Sequence, residues 1–299
     1  MTINPFYLLL FTLVYIQVAR GQEENHLFLF DGQFQRTNPS ILGLKQESYL
    51  GFLIDSQWLG IKDAPKQQSI FYDSYKDTQN LNLGGVIRNR SRFGEQNIQL
   101  LLQSSYPLQL RAETFIHLGF QLVGDFFSSE YNYLRSVDGV VNDPLFQQQR
   151  RFIPNVGIGF TLIRNNFWVQ AAVPRLLDQY LIKKSPTIFL RNKLHFFVGF
   201  GTELTTNQNA HIIKLGGYVY NLAYDELTVQ LKGTLGLRIG EVLFGMNSAK
   251  NMGIGFQLNQ RNFLSLGYFF QFPYLSSTEL NKTNHSLSLL FNLSPKNIN

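Results

Sequence analysis

Cysteine is absent from all 299 residues, which excludes a disulfide framework, a thiolate metal site and a thiol nucleophile. Such an absence suits an exported protein that avoids mispaired thiols. Charge is scarce too: charged residues make up 15% of the chain, against about 25% in an ordinary soluble domain. Beyond the first segment there are no apolar runs of ~20 residues, so a bundle of membrane helices is excluded. Catalytic signatures are missing as well: there is no HExxH, CxxC, GxxxxGK or GxSxG. The five histidines, at 26, 117, 195, 211 and 285, are dispersed, and none has a second histidine at metal-ligand spacing. The pairs Gly157/Gly159, Gly199/Gly201 and Gly253/Gly255 lack the following helix that a dinucleotide site needs. Carboxylates such as Asp73, Asp77, Asp138 and Asp143 fall at strand ends or in loops without a general-acid/base pairing. Calcium at such loop carboxylates is the one metal chemistry left open. The expectation is a protein with no catalytic role and no cofactor.

What is present in quantity is aromatic: 27 Phe and 14 Tyr, enough apolar area to exclude disorder. The net charge is +6, but the basic residues are scattered, in short groups such as Arg88/Arg90/Arg92 and Lys183/Lys184. Nucleic-acid binders gather such an excess in one patch, so no nucleic-acid partner is expected. At the start, Phe6 to Val18 is a short apolar run followed by Ala19-Arg20-Gly21. It is too short for a membrane anchor, and small residues at 19 and 21 fit a signal peptide (1–21) cut between Gly21 and Gln22, although no Lys or Arg precedes it.

The rest of the chain alternates with period two. Leu227, Val229, Leu231, Gly233 and Leu235 share one face, and Thr228, Gln230, Lys232 and Thr234 the other. Leu194, Phe196, Val198 and Phe200 face away from His195, Gly199 and Gly201, with Phe197 as an exception. Fourteen such segments fall at about 45–58, 67–76, 80–90, 96–106, 111–124, 152–163, 166–174, 192–205, 210–221, 226–237, 239–247, 250–259, 262–272 and 284–293. Most are joined by short links, such as Arg164-Asn165-Asn166, and three by longer ones at 125–151, 175–191 and 273–283. Short links mixed with a few long ones are the pattern of an outer-membrane barrel. The expected fold is therefore all-β, an antiparallel up-and-down transmembrane barrel of about fourteen strands. It would occupy 45–293, after an N-terminal segment (22–44) that leads into it and before a tail (294–299).

Periodicity alone does not say which face is inside, and a soluble sandwich or lipocalin-like barrel shares it. Polar side chains on successive strands, Arg88, Arg90, Arg111 and Lys232 among them, fit a hydrated lumen. Tyr49, Trp58, Tyr106, Trp168, Tyr218, Tyr220 and Tyr274 lie near strand ends, where headgroup-level aromatics are expected.

One stretch asks for more than barrel physics. Ser56-Gln57-Trp58-Leu59-Gly60-Ile61-Lys62-Asp63-Ala64-Pro65-Lys66 resembles the QQWxGIxGAPK signature near the first hairpin of the PorP/SprF family of type IX secretion outer-membrane proteins. Other positions match in order. Asn38-Pro39-Ser40-Ile41-Leu42-Gly43 resembles NPAxxG, Asn142-Asp143-Pro144-Leu145-Phe146 resembles DPxF, and Pro154-Asn155-Val156-Gly157-Ile158-Gly159 resembles PNxGxG. Val173-Pro174-Arg175-Leu176-Leu177 is similar to VPxLL, and His285 falls at the family's closing-strand histidine. The chain departs at Asp55, commonly basic, at Asp63, usually Gly, and at Ser286, commonly acidic. The resemblance implies a barrel in the cell outer membrane that serves type IX secretion and gliding-type adhesin display. Its implied partners are other secretion components, secreted or adhesin cargo, and outer-membrane lipid. The residues it singles out as conformation-setting or partner-binding are Asn38, Pro39, Gly43, Trp58, Gly60, Ala64, Pro65, Lys66, Asp143, Pro144, Pro154, Asn155, Gly157, Pro174 and His285. The rival is a porin or hydrophobic-solute channel, which needs an open lumen.

Overall fold

A computed structural model describes residues 31–75, 80–130, 149–177, 195–205, 212–222, 227–260, 263–274 and 283–294. After a short helix, α1 (Asp31–Gln35), and a 3₁₀ turn at Pro39–Ile41, the described residues form fourteen strands. These are β1 (Tyr49–Gln57), β2 (Lys66–Ser74), β3 (Asn82–Arg92), β4 (Glu95–Arg111), β5 (Thr114–Ser129), β6 (Gln149–Arg164) and β7 (Phe167–Arg175). They continue as β8 (His195–Thr205), β9 (Ile212–Asn221), β10 (Thr228–Leu237), β11 (Gly240–Asn247), β12 (Asn251–Gln260), β13 (Leu264–Pro273) and β14 (Asn284–Asn292). Each strand pairs with its sequence neighbours, and β14 returns to β1, closing the barrel. The closing seam is antiparallel from Tyr49↔Asn292 to Gln57↔Asn284. One backbone bond extends it at each end: Leu293 N–H to Ser48 O at 2.7 Å, and Trp58 N–H to Thr283 O at 3.0 Å.

The alternation resolves as a wall turned inside out relative to a soluble barrel. Ile54, Ile70, Leu102, Phe120, Phe200, Leu231, Ile254 and Leu287 point outward and are exposed. Asp55, Gln67, Gln99, Gln103, Gln121, Gln230, Thr234 and Ser286 point inward and are buried. In water each such outward Leu or Phe would forgo roughly 1.5–3 kcal/mol of burial, repeated around the whole circumference. In lipid the belt is the favourable surface, and the closed wall leaves no unpaired strand edge in the hydrocarbon. This excludes the soluble alternative.

Three strands outrun their sequence-based bounds. β4, β5 and β6 have 17, 16 and 16 residues, because alternation continues into stretches that read as loop. Phe126 and Phe152 face outward with ring centroids 4.8 Å apart, extending the β5–β6 hairpin.

The aromatic expectation needs correction. Tyr49, Tyr218 and Tyr220 are buried, and the Trp168 ring packs into the lumenal cluster with Phe34, Ala172 and Phe197. Strand parity turns these four rings inward, so they cannot form a headgroup belt. Tyr106 and Tyr274 are exposed, as expected.

With an even number of strands, both barrel termini lie at one rim. That rim carries the tight links Ala112-Glu113, Asn165-Asn166 and Arg238-Ile239, whereas links 130–148 and 176–194 lie at the opposite rim. Short turns face the periplasm and long loops face outward in such barrels, which assigns the first rim to the periplasm.

Candidate functional site

The segment before β1 does not lie outside the barrel but inside it. Its local shape follows from a few residues. Thr37 Oγ1 donates to Phe34 O at 2.8 Å, closing the end of α1. Asn38, in extended backbone, caps the 3₁₀ turn: its Oδ1 accepts from Ser40 N–H at 3.1 Å and Ser40 Oγ at 2.6 Å. Pro39 occupies the first helical position, where its missing N–H costs nothing. Phe34, Gln35, Asn38, Ser40 and Leu42 are all buried.

The wall holds this plug by directional bonds from β2, β3, β4 and β6. Gly43 N–H donates to both Asp73 carboxylate oxygens at 3.0 Å each, and Gly43 has φ +75°. Asn82 Nδ2 donates to Leu42 O at 3.3 Å, Ser105 Oγ to Ser40 O at 3.3 Å, and Ser40 and Thr161 share a hydroxyl bond of 2.7 Å. Two glycines make room. A Cβ on Gly119 would stand 2.2 Å from Ser40 N, and one on Gly159 would stand 2.1 Å from Asn38 Oδ1. Any side chain there would collide with the turn.

An amide ladder then ties the plug to a third motif. Gln35 Nε2 donates to Gln103 Oε1 at 3.2 Å, and Gln103 Nε2 donates to Gln35 O at 2.7 Å and to Gln121 Oε1 at 2.9 Å. Gln121 Nε2 donates in turn to Pro174 O at 2.9 Å. Pro174 reaches that position because β7 breaks its register with β8 between Ala172 and Arg175. Pro174 also crosses Gly157, where a Cβ would lie 2.4 Å from its carbonyl oxygen. Asn155 Oδ1 accepts from Leu177 N–H at 2.9 Å, and Leu176 N–H donates to Val156 O at 2.8 Å. Arg175 forms an ion pair with Asp125, which Gln99 Nε2 also reaches at 2.7 Å. Asn38, Pro39, Gly43, Asn155, Gly157 and Pro174 therefore belong to one lumenal assembly, although they come from three distant motifs. Pro154 is exposed on the outer face.

The Trp58–Lys66 turn is at the other rim and is a separate structure. Trp58, Gly60 and Asp63 have φ of 50°, 92° and 58°. Gln57 N–H donates to Pro65 O at 3.0 Å, and Asp63 O accepts from Phe93 N–H at 3.0 Å. The Trp58 and Phe93 rings are 5.8 Å apart. Together with the Trp58–Thr283 bond, these contacts fasten the first hairpin to the β3–β4 hairpin and to the start of β14. Ala64 and Pro65 are buried beneath the turn, and Gly60, Lys66, Leu59 and Ile61 are exposed. Asp63 adopts the left-handed conformation that the family's glycine takes without strain. Asp63→Gly is thus expected to raise stability by about 1 kcal/mol or less. A urea unfolding midpoint that falls instead would show that the Asp63 side chain compensates for its backbone.

His285 points outward at the seam. Its Nδ1 is 2.8 Å from Tyr268 Oη, and its ring lies 5.0 Å from Phe270. Asp143 and Pro144 fall outside the described residues. Arg88, Arg90 and Lys232 take the inward parity, but Arg111 is exposed at the periplasmic end of β4. The groups that pattern reading missed are Gln35, Gln103, Gln121 and Asp125, whereas Asp55, at the seam, stood out only as a departure from the family pattern. Asp55 is buried with Ser286 Oγ at 2.5 Å and Gln67 Nε2 at 2.9 Å, and it attracts Arg36 of the plug and Arg88 of β3. Their only sequence signal is a polar residue on the inward parity of an otherwise ordinary strand. Among the described residues, no group of three or more His, Asp or Glu is placed to hold a metal.

Apolar outside, polar inside and filled by its own leading segment, this chain is a plugged outer-membrane β-barrel. It belongs to the PorP/SprF family: the family model for "Type IX secretion system membrane protein PorP/SprF" matches residues 35–291. It is therefore a barrel component of type IX secretion. Among solved structures it is similar to the Acinetobacter baumannii outer membrane protein Omp33, at 7% identity and a TM-score of 0.49, over 82% of this chain and 97% of that one. A Pseudomonas aeruginosa FadL homologue is similar at 8% identity and a TM-score of 0.49, over 90% of this chain and 96% of that one. No curated protein matches the sequence.

Proposed function

We propose that this barrel is a binding and anchoring partner in type IX secretion, without enzymatic activity and without bulk transport of its own. The observation that carries the reading is the plug. Residues 33–43 stand across the lumen, bonded to β2, β3, β4 and β6 through both backbone and side-chain groups. A channel needs a continuous wet path, so the porin reading loses support, whereas an anchor functions with a filled lumen. The outer rim, with the Trp58–Lys66 turn and the long links, would hold a secreted or adhesin cargo. The periplasmic rim would meet the rest of the machinery, after a signal peptide is removed between Gly21 and Gln22. Deleting the gene should abolish display or secretion of particular surface proteins while small-solute uptake stays normal. Intact secretion with impaired uptake would overturn this reading in favour of a channel.

A further inference from the structure

The plug does not fill the lumen evenly. Between it and the β6–β10 wall remains a cleft of about 470 Å³, opening past Asn165, Asn166 and Thr205 at the periplasmic rim. This lies within the ~300–1,000 Å³ range of small-molecule sites.

Its wall is built in an unusual way. Trp168 and Tyr218 take positions where side chains project inward, yet glycines on β8, and Gly216 on Tyr218's own strand, let their rings lie flat. A Cβ on Gly201 would be 2.4 Å from Trp168 Cζ2, one on Gly199 would be 2.7 Å from Tyr218 Cδ1, and one on Gly216 would be 2.9 Å from Tyr218 Oη. The two ring centroids are 5.6 Å apart with an interplanar angle of 33°. Phe34 of the plug lies against Tyr218, centroids 5.0 Å apart, and so continues the row. Rings laid against a wall over glycine present a π-face to the space before them rather than an edge.

Around this platform the groups are polar and of both signs. The Gln170 side chain lines the cleft, and its buried Oε1 has no hydrogen-bond partner. Lys214 lies between Glu203, at 3.9 Å, and Glu241, at 3.7 Å. Lys232 sits 4.7 Å over the Phe34 ring. A buried amide oxygen without a donor costs free energy, and a rotation of the Gln170 amide toward a hydroxyl in the cleft would relieve that cost.

From this arrangement we infer that the cleft is a saccharide-binding site for a short pyranose oligosaccharide. A pyranose has one face of C–H bonds that packs on a π-face and an edge of hydroxyls that serves amides, carboxylates and ammonium groups together. A fatty acyl chain would leave the Gln170 amide oxygen without a donor. Facing the periplasm, the site is open to two sources of sugar: the N-acetylated glycan of the cell wall and free neutral oligosaccharides. This inference does not rest on the secretion reading.

The chain has two tryptophans, so Trp58→Phe leaves Trp168 as the single fluorescent reporter inside the cleft. The full-length W58F protein, in micelles, is titrated with N,N′-diacetylchitobiose and separately with maltotriose. A saturable change in Trp168 emission is expected, and adding Gln170→Ala should weaken the half-saturation point about fivefold, one neutral hydrogen bond, with an unchanged unfolding midpoint. Saturation by chitobiose alone assigns the cell-wall glycan, and saturation by maltotriose alone assigns free sugars. No saturable change with either, or saturation by a short peptide in their place, overturns the inference.

Discussion

Excising residues 31–44 should convert a silent barrel into a conducting one. In planar bilayers the intact protein is expected to give no sustained openings, and the shortened protein a steady ohmic current. The reasoning is geometric. Eight-stranded barrels are filled by their own side chains, whereas barrels of 16–18 strands enclose water. Fourteen strands fall nearer the second case, so something other than wall side chains must occupy the middle. Here it is the segment from Gln33 to Gly43, buried among the Tyr72 carbonyl, Gln103, Ser105, Gly119 and Thr161. A gentler version replaces Gly119 and Gly159 by leucine, which the 2.2 Å and 2.1 Å approaches forbid while the turn stays in place. Intermittent openings are expected from that variant. Equal currents from intact and excised proteins would mean that the plug does not block the pore.

The second large effect is on stability. Asp125 has a side chain 2% exposed and is paired with Arg175, itself 20% exposed. Replacing Arg175 by alanine leaves a desolvated carboxylate with the Gln99 amide as its hydrogen-bond donor and Arg88 as its more distant positive neighbour. Breaking a buried pair from one side costs about 3–5 kcal/mol, so Arg175→Ala should lower the urea midpoint sharply. The double variant Asp125→Asn with Arg175→Met should recover most of that loss, because the desolvated carboxylate is gone and Arg88 keeps its attraction to Asp55. If Arg175→Ala unfolds at the same urea concentration as the parent, the pair is screened by water in the lumen and carries little. The same substitution should also loosen the Pro174 crossing, since Arg175 follows directly on the carbonyl that Gln121 holds.

The strands were readable because a wall with two different solvents on its faces imprints period two on the sequence. Leu227 to Leu235 alternates with Thr228 to Thr234, and that is how β10 is built. Which solvent lay on which side was not readable from the same pattern. The deciding fact is that Gln121 and Gln230 are buried while Leu122 and Leu231 are exposed. The exception at Phe197 had a cause invisible locally, because its ring packs with Phe34, 163 positions earlier in the chain and 6.1 Å away between centroids. The plug was hidden for the same reason. Asn38-Pro39-Ser40 has a cap's sequence, but its partners at Thr161 and Gly159 are more than a hundred residues distant. Motif resemblance found Asn38, Asn155 and Pro174 without their connection. That connection runs through Gln103 and Gln121, glutamines with nothing local to distinguish them.

The plug's attachment is lopsided, and that gives the barrel a stiff half and a compliant one. Its assigned hydrogen bonds to the wall go to β2, β3, β4 and β6, with Gly119 of β5 in steric contact, and this arc includes the three longest strands. Toward β8, β9 and β10 it presents the Phe34 ring to Phe197, Tyr218 and Lys232, contacts that slide more readily than hydrogen bonds bend. Those strands are 10 or 11 residues long and border the open cleft. A load applied at either rim would therefore be carried by the β2–β6 arc as a rigid strut. The β8–β10 arc would yield, making the cross-section breathe on one side only.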